Sequence, residues 1–199
     1  MTTSTIASPT PRARHSRPRM AVEVLVCGMA DRGDDGAPIA AARLIAQCLP
    51  SDVDLRVVGT LDVDALLAIP PRCGTVILDA AVGIEPGVIE SIPLNGLIGR
   101  QDLRMRSSHA LAFPEVLGLA DMMRGWPLSG VIVAIGVSRF APGKPLSKRV
   151  APALPALVRA TLEAVDLARP PIVLWDGDGW VHACGPVDPL ETDLRLLVD

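Results

Sequence analysis

The sequence predicts an α/β fold of three layers, a mostly parallel twisted sheet with helices on both faces. Three observations carry that expectation. Short apolar runs alternate with segments of helical period from Val22 to Ala168, as strand–helix crossovers require. Val76-Ile77-Leu78 is apolar without alternation, as a strand covered on both faces must be. The run Cys27-Gly28-Met29-Ala30-Asp31-Arg32-Gly33-Asp34-Asp35-Gly36 leads from a strand into a helix, and open α/β sheets hold their ligands at such carboxyl-terminal strand ends.

Taken in order, Val22 to Cys27 is the first strand. A helix follows from about Pro38 to Leu49, with Ile39, Ala42, Leu44, Ile45 and Leu49 able to cover a sheet face. Leu55 to Gly59 is the second strand, and Val63 to Ile69 a short helix stopped by Pro70-Pro71. Thr75 to Leu78 is the third strand, closed by Asp79. Gly87 to Ile92 is another strand, and Arg100 to Ser108 a polar connection. Phe113 to Met123 is a helix with Pro114 in its first turn and Gly125 past its end. Gly130 to Val137 is the last core strand. Ser147 is a candidate cap for the final helix, but Pro152 and Pro155 move its start to about Ala151, where both fall among residues that need no amide partner. Leu154, Leu157, Val158, Thr161, Leu162 and Val165 form its apolar stripe.

Two segments flank this body, residues 21–169. Residues 1–20 are rich in Ser, Thr, Pro and Arg without apolar period, a composition expected of a disordered tail and without the apolar core of a signal peptide. Residues 170–199 read as a C-terminal hairpin extension, with Ile172 to Trp175 and Trp180 to Ala183 around the turn Asp176-Gly177-Asp178-Gly179. That turn lacks the spaced ligands and distal Glu of a calcium loop.

The chain has 199 residues, enough for one domain with a sizeable core. It has no Tyr and only two Phe, so that core is aliphatic. The formal charge of −3 argues against nucleic acid as a partner. No apolar run has the length of a membrane span, and the expected state is a cytoplasmic monomer. Cys27, Cys48, Cys73 and Cys184 form no C-x-x-C pair, which leaves burial as small apolar residues.

Asp35 stands at a helix start after the first strand and Asp79 at the end of the third. If those strands are neighbours, in the order 2-1-3, both carboxylates face one crevice. Asp34 and Asp35 also suit helix capping, although a cap needs only one of them. His109 precedes the helix at Phe113, in a strand-to-helix connection of the kind where sites form. Two carboxylates and an imidazole make a three-ligand set for a divalent transition metal, with positions left open. The dinucleotide fingerprint, the P-loop, the G-x-S-x-G elbow and H-E-x-x-H are all absent. A phospho-accepting receiver domain also places acids after strands one and three, but its acids sit at the strand end, whereas Asp34 lies six residues past Gly28.

Gly28 to Gly36 resembles the G-N-x-x-x-x-D-[DE]-x-x-G signature that opens the hydrogenase maturation endopeptidases. Val76-Ile77-Leu78-Asp79-Ala80 is similar to their second motif. Ser107-Ser108-His109-Ala110-Leu111, continuing from Pro114 to Ala120, is similar to their third. The resemblance covers about Val22 to Ala168. It implies a phosphorylase/hydrolase-like α/β fold and an endopeptidase that removes a C-terminal extension from the large-subunit precursor of a nickel–iron hydrogenase after nickel insertion. It also implies that Asp35, Asp79 and His109 contact the metal. The nickel is carried by the substrate, and free divalent metal is expected to bind only weakly. Asp34 matches the acid beside the first ligand, and Asp34 or Asp35 is a candidate base for the attacking water, a metal-bound water being the other route. Met29 and Pro38 stand where the family has Asn and Gly. A homologue that binds the metal-loaded precursor without cutting it is the alternative reading.

Overall fold

The computed structural model describes residues 21–97, 104–105, 113–138, 140–170, 172–175 and 181–184. The N-terminal tail, His109 and the turn of the C-terminal hairpin lie outside them.

Four parallel strands form the heart of the sheet. β1 (Val22–Cys27) is buried along its whole length. β2 (Val53–Gly59) pairs with it on one side and β3 (Gly74–Val82) on the other, both in parallel. The remaining core members are β4 (Ile89–Pro93), β5 (Arg104–Met105) and β6 (Gly130–Gly136). The order is β2-β1-β3-β6-β4, with β5 paired to the far end of β3. β6 lies parallel to β3, whereas β4 and β5 are antiparallel to their neighbours. β1 and β3 are therefore neighbours, which meets the 2-1-3 condition set by the sequence argument.

Side chains of a strand alternate between the two faces, and each face has its own cover. On one face Val24, Val26, Val76, Leu78, Val133 and Ile135 pack under α1 (Ala37–Ile45) and α4 (Leu154–Ala168). On the other, Leu25, Cys27, Ile77 and Ala81 pack under α2 (Val63–Leu67) and α3 (Phe113–Arg124). Leu25, Ile77 and Leu78 are fully buried, each contributing about 1.5–3 kcal/mol by removal from water. This is the three-layer arrangement that the sequence predicts.

Several boundaries differ from expectation. The first helix ends at Ile45, not Leu49. The Cys48 N–H donates to the Ile45 carbonyl, a tightening of the chain before Pro50, which disfavours helix at the residue preceding it. Leu44 is exposed, and Ala37, Ala41 and Ala42 cover the sheet with Ile39 and Ile45. Asp79 does not close β3, which continues through Ala80, Ala81 and Val82 because β6 and β5 supply partners there. The Ser147 hydroxyl accepts from the Val150 N–H at 3.3 Å, so it opens a turn, and a 3₁₀ segment (Ala151–Ala153) intervenes before α4 begins at Leu154. Cys27 and Cys73 are buried, but Cys48 is exposed and does not serve as a core residue. The C-terminal segment does contain a hairpin, with β7 (Ile172–Trp175) antiparallel to β8 (Val181–Cys184). No helix among the described residues is long and apolar enough to cross a membrane.

Candidate active site

The site is built on the loop that leaves β1. Gly28 has φ +105°, and a Cβ there would collide with the Asp35 carbonyl oxygen, so only glycine lets the chain fold back on itself at this point. Its N–H donates to the Gly59 carbonyl at 2.6 Å, which fixes the loop to the end of β2. The Met29 N–H donates to Asp35 Oδ2 at 3.1 Å. Met29 thus orients the acid through its main chain. Pro38 lies in the first turn of α1, where a missing N–H costs nothing.

The two neighbouring acids point to different places. Neither holds an N-cap position; those fall to Arg32 for the 3₁₀ turn Gly33–Gly36 and to Gly36 for α1. Asp34 is fully buried. Its Oδ1 accepts from the Ser147 N–H at 2.6 Å, and its Oδ2 is buried without a partner among the described residues. Asp35 is half-buried and its Oδ2 accepts from the Met29 N–H.

Asp79 comes from the middle of the sheet. It is 7 % exposed and, by alternation, stands on the same face as Ile77 and Ala81, the face that carries α3. Its Oδ1 accepts from the Ala80 N–H at 2.7 Å. Burial pushes its carboxyl up to about 7; the Ala80 N–H works against that rise, and the Asp35 charge adds to it. The charge of Asp35 thus acts on Asp79, and the strands that lead to the two acids, β1 and β3, are neighbours in the sheet. Among the described residues, no group of three His, Cys, Asp or Glu side chains is placed to hold a metal ion.

Cys27 belongs to the same neighbourhood. Burial pushes its thiol well above its usual range, and the charges of Asp79 and Asp35 push it further. Its position as the last residue of β1, one strand from Asp79, was available in the sequence, although cysteine count and spacing alone do not reveal it. His109 lies outside the described residues. The connection that carries it enters α3 at Phe113, and α3 covers the Asp79 face of the sheet.

The β6–α4 connection completes the site's wall, and no motif announces it. The Gly143 N–H donates to the Asp31 carbonyl at 2.6 Å. Arg32 and Lys144 form a parallel β-bridge. With the Ser147–Asp34 bond, these ties hold residues 143–147 against the acidic loop.

No family model matches the sequence, and no curated protein sequence matches it. Solved structures do match. The chain is similar to the [NiFe] hydrogenase maturation protease HybD from Thermococcus kodakarensis, with a TM-score of 0.60 and 22% identity over 75% of this chain and 100% of that one. It is similar to the hydrogenase maturating endopeptidase HybD from E. coli, with a TM-score of 0.61 and 21% identity over 73% of this chain and 92% of that one. HycI, a [NiFe] hydrogenase maturation protease from Thermococcus kodakarensis, matches with a TM-score of 0.55 and 20% identity over 74% and 93% of the two chains. The chain therefore has the fold of these proteases, as its three motifs imply.

Proposed function

We propose that this chain is a cytoplasmic endopeptidase that removes the C-terminal extension of a nickel–iron hydrogenase large-subunit precursor once nickel has been inserted. The observation that carries the reading is the pairing of Asp35 with Asp79. The chain has the fold of the maturation proteases, β1 and β3 are neighbours in its sheet, and the Asp35 charge acts on Asp79, which supports the reading.

In this reading Asp35, Asp79 and His109 engage the nickel that the precursor brings. The contact reports that metal insertion is complete and fixes the scissile bond beside the site. Of the two candidate bases, the half-buried Asp35 is better placed than Asp34, which is closed off and bonded to Ser147. The remaining candidate is water on the substrate's metal, acidified by the ion.

The reading is tested by incubating the purified protein with nickel-loaded and nickel-free precursor and following precursor mass. Loss of a C-terminal fragment from the loaded precursor alone supports it. A loaded precursor that binds but keeps its full mass supports the non-cleaving alternative.

A further inference from the structure

The wall of the site carries a pair of like charges that its fold does not compensate. Arg32 lies on the acidic loop and Lys144 on the β6–α4 connection, and the two form one parallel bridge. Side chains at paired ladder positions leave on the same face, so the guanidinium and the ammonium stem from adjacent backbone positions. Like charges placed this way destabilise a ladder. The fold nonetheless imposes the arrangement through the Gly143–Asp31 and Ser147–Asp34 bonds on either side.

No carboxylate among the described residues lies within ion-pair distance of either cation; the pairs formed are Arg56–Glu23, Arg169–Asp52 and Arg169–Asp166. Arg32 Nη1 instead reaches the neutral Met29 Sδ at 3.5 Å. Asp31, the nearest acid along the chain, is exposed and contributes its carbonyl, not its carboxylate, to this contact. Lys144 is exposed, and the chain's only other lysine, Lys148, is exposed in the same connection. In a chain of net charge −3, both lysines thus stand beside the one loop that presents Asp35.

We propose that the Arg32–Lys144 pair is an anion-receiving rim that binds a carboxylate of the polypeptide presented to the site, either an acidic side chain or a chain-terminal carboxylate. This rests on the protease reading, because the partner is taken to be peptide. The rim is tied by two main-chain donors to the loop that carries Asp35, so a carboxylate docked there would set which peptide bond lies at the acids. Its binding would recover the repulsion between the two cations.

The test is fluorescence anisotropy with three labelled short peptides: one rich in Glu with an amidated end, one neutral with a free carboxyl end, and one neutral and amidated. At low salt, ~20 mM, one of the first two should bind about tenfold more tightly than the third, and the advantage should fade at ~300 mM salt. Which peptide binds identifies the source of the carboxylate. Arg32→Gln/Lys144→Gln should abolish the advantage, Lys144→Glu alone should do so as well, and Arg159→Gln, an exposed change on α4, should leave it intact. Equal binding of all three peptides, or an advantage that survives in both rim variants, overturns the proposal. The measurement needs no cleavage. An uncut precursor alongside rim-dependent peptide binding therefore retires the protease reading and leaves the rim standing.

Discussion

Asp34 accepts the main-chain N–H of Ser147 at 2.6 Å, a contact that spans 113 positions of sequence and joins the acidic loop to the connection before α4. Asp34 is fully buried, so the bond is made where water cannot replace it. Hydrogen bonds to charged groups contribute about 1.5–3 kcal/mol. Asp34→Ala should therefore lower stability to urea by about 2 kcal/mol, whereas Asp34→Asn, which keeps an acceptor oxygen in place, should lose much less. Equal stability of wild type and Asp34→Ala would show that the two loops are held by other contacts.

Asp79 makes stability depend on pH. Its carboxyl is raised to about 7 in the folded chain, against ~3.9 when unfolded. Between these values the folded state keeps a proton that the unfolded state releases. Stability should accordingly fall as pH rises from about 4 to about 7 and change little from this source above that. Asp79→Asn removes the buried charge, so it should flatten this part of the profile and exceed wild type in melting temperature at pH 8. An unchanged profile in the variant would assign the dependence to another group.

Gly28 is required by geometry. Its φ of +105° and the Asp35 carbonyl beside it leave no room for a side chain. Gly28→Ala should cost more than about 2 kcal/mol, combining strain at positive φ with a backbone collision, and should displace Asp35. A variant with wild-type melting temperature and wild-type processing would contradict the loop described here.

Metal uptake separates a carboxylate site from a merely crowded one. Purified protein should take up nickel or zinc weakly, at about one ion per chain and only at high metal concentration, because the ligands lie partly on loops and must release the processed product. Asp79→Ala should abolish that uptake in calorimetry. Uptake that ignores Asp79 would place the ion elsewhere.

Much of this architecture was legible in the sequence because each strand and helix carries its own local period. The apolar run at Val76 to Leu78 identified a buried strand, and the alternation from Val22 onward gave the parallel layers, while the 2-1-3 order was only a condition that the tertiary structure meets. The misread features depended on partners distant in sequence. Asp79 reads as a strand end because a charge follows apolar residues, yet β6 and β5 extend the ladder past it. Asp34 reads as a helix cap or a base, and no local rule reveals that Ser147 claims it. The bridge between Arg32 and Lys144 is likewise tertiary. Loop residues follow no period, so their contacts appear only in three dimensions.

The most direct test of the central claim compares processing rates of nickel-loaded precursor by wild type, His109→Ala, Asp79→Asn and His182→Ala, each with its melting temperature measured. The account predicts that His109→Ala and Asp79→Asn remain folded and process the precursor at a small fraction of the wild-type rate, while His182→Ala, in the hairpin, processes at the wild-type rate. Wild-type processing by folded His109→Ala, or loss of processing in His182→Ala alone, would contradict it.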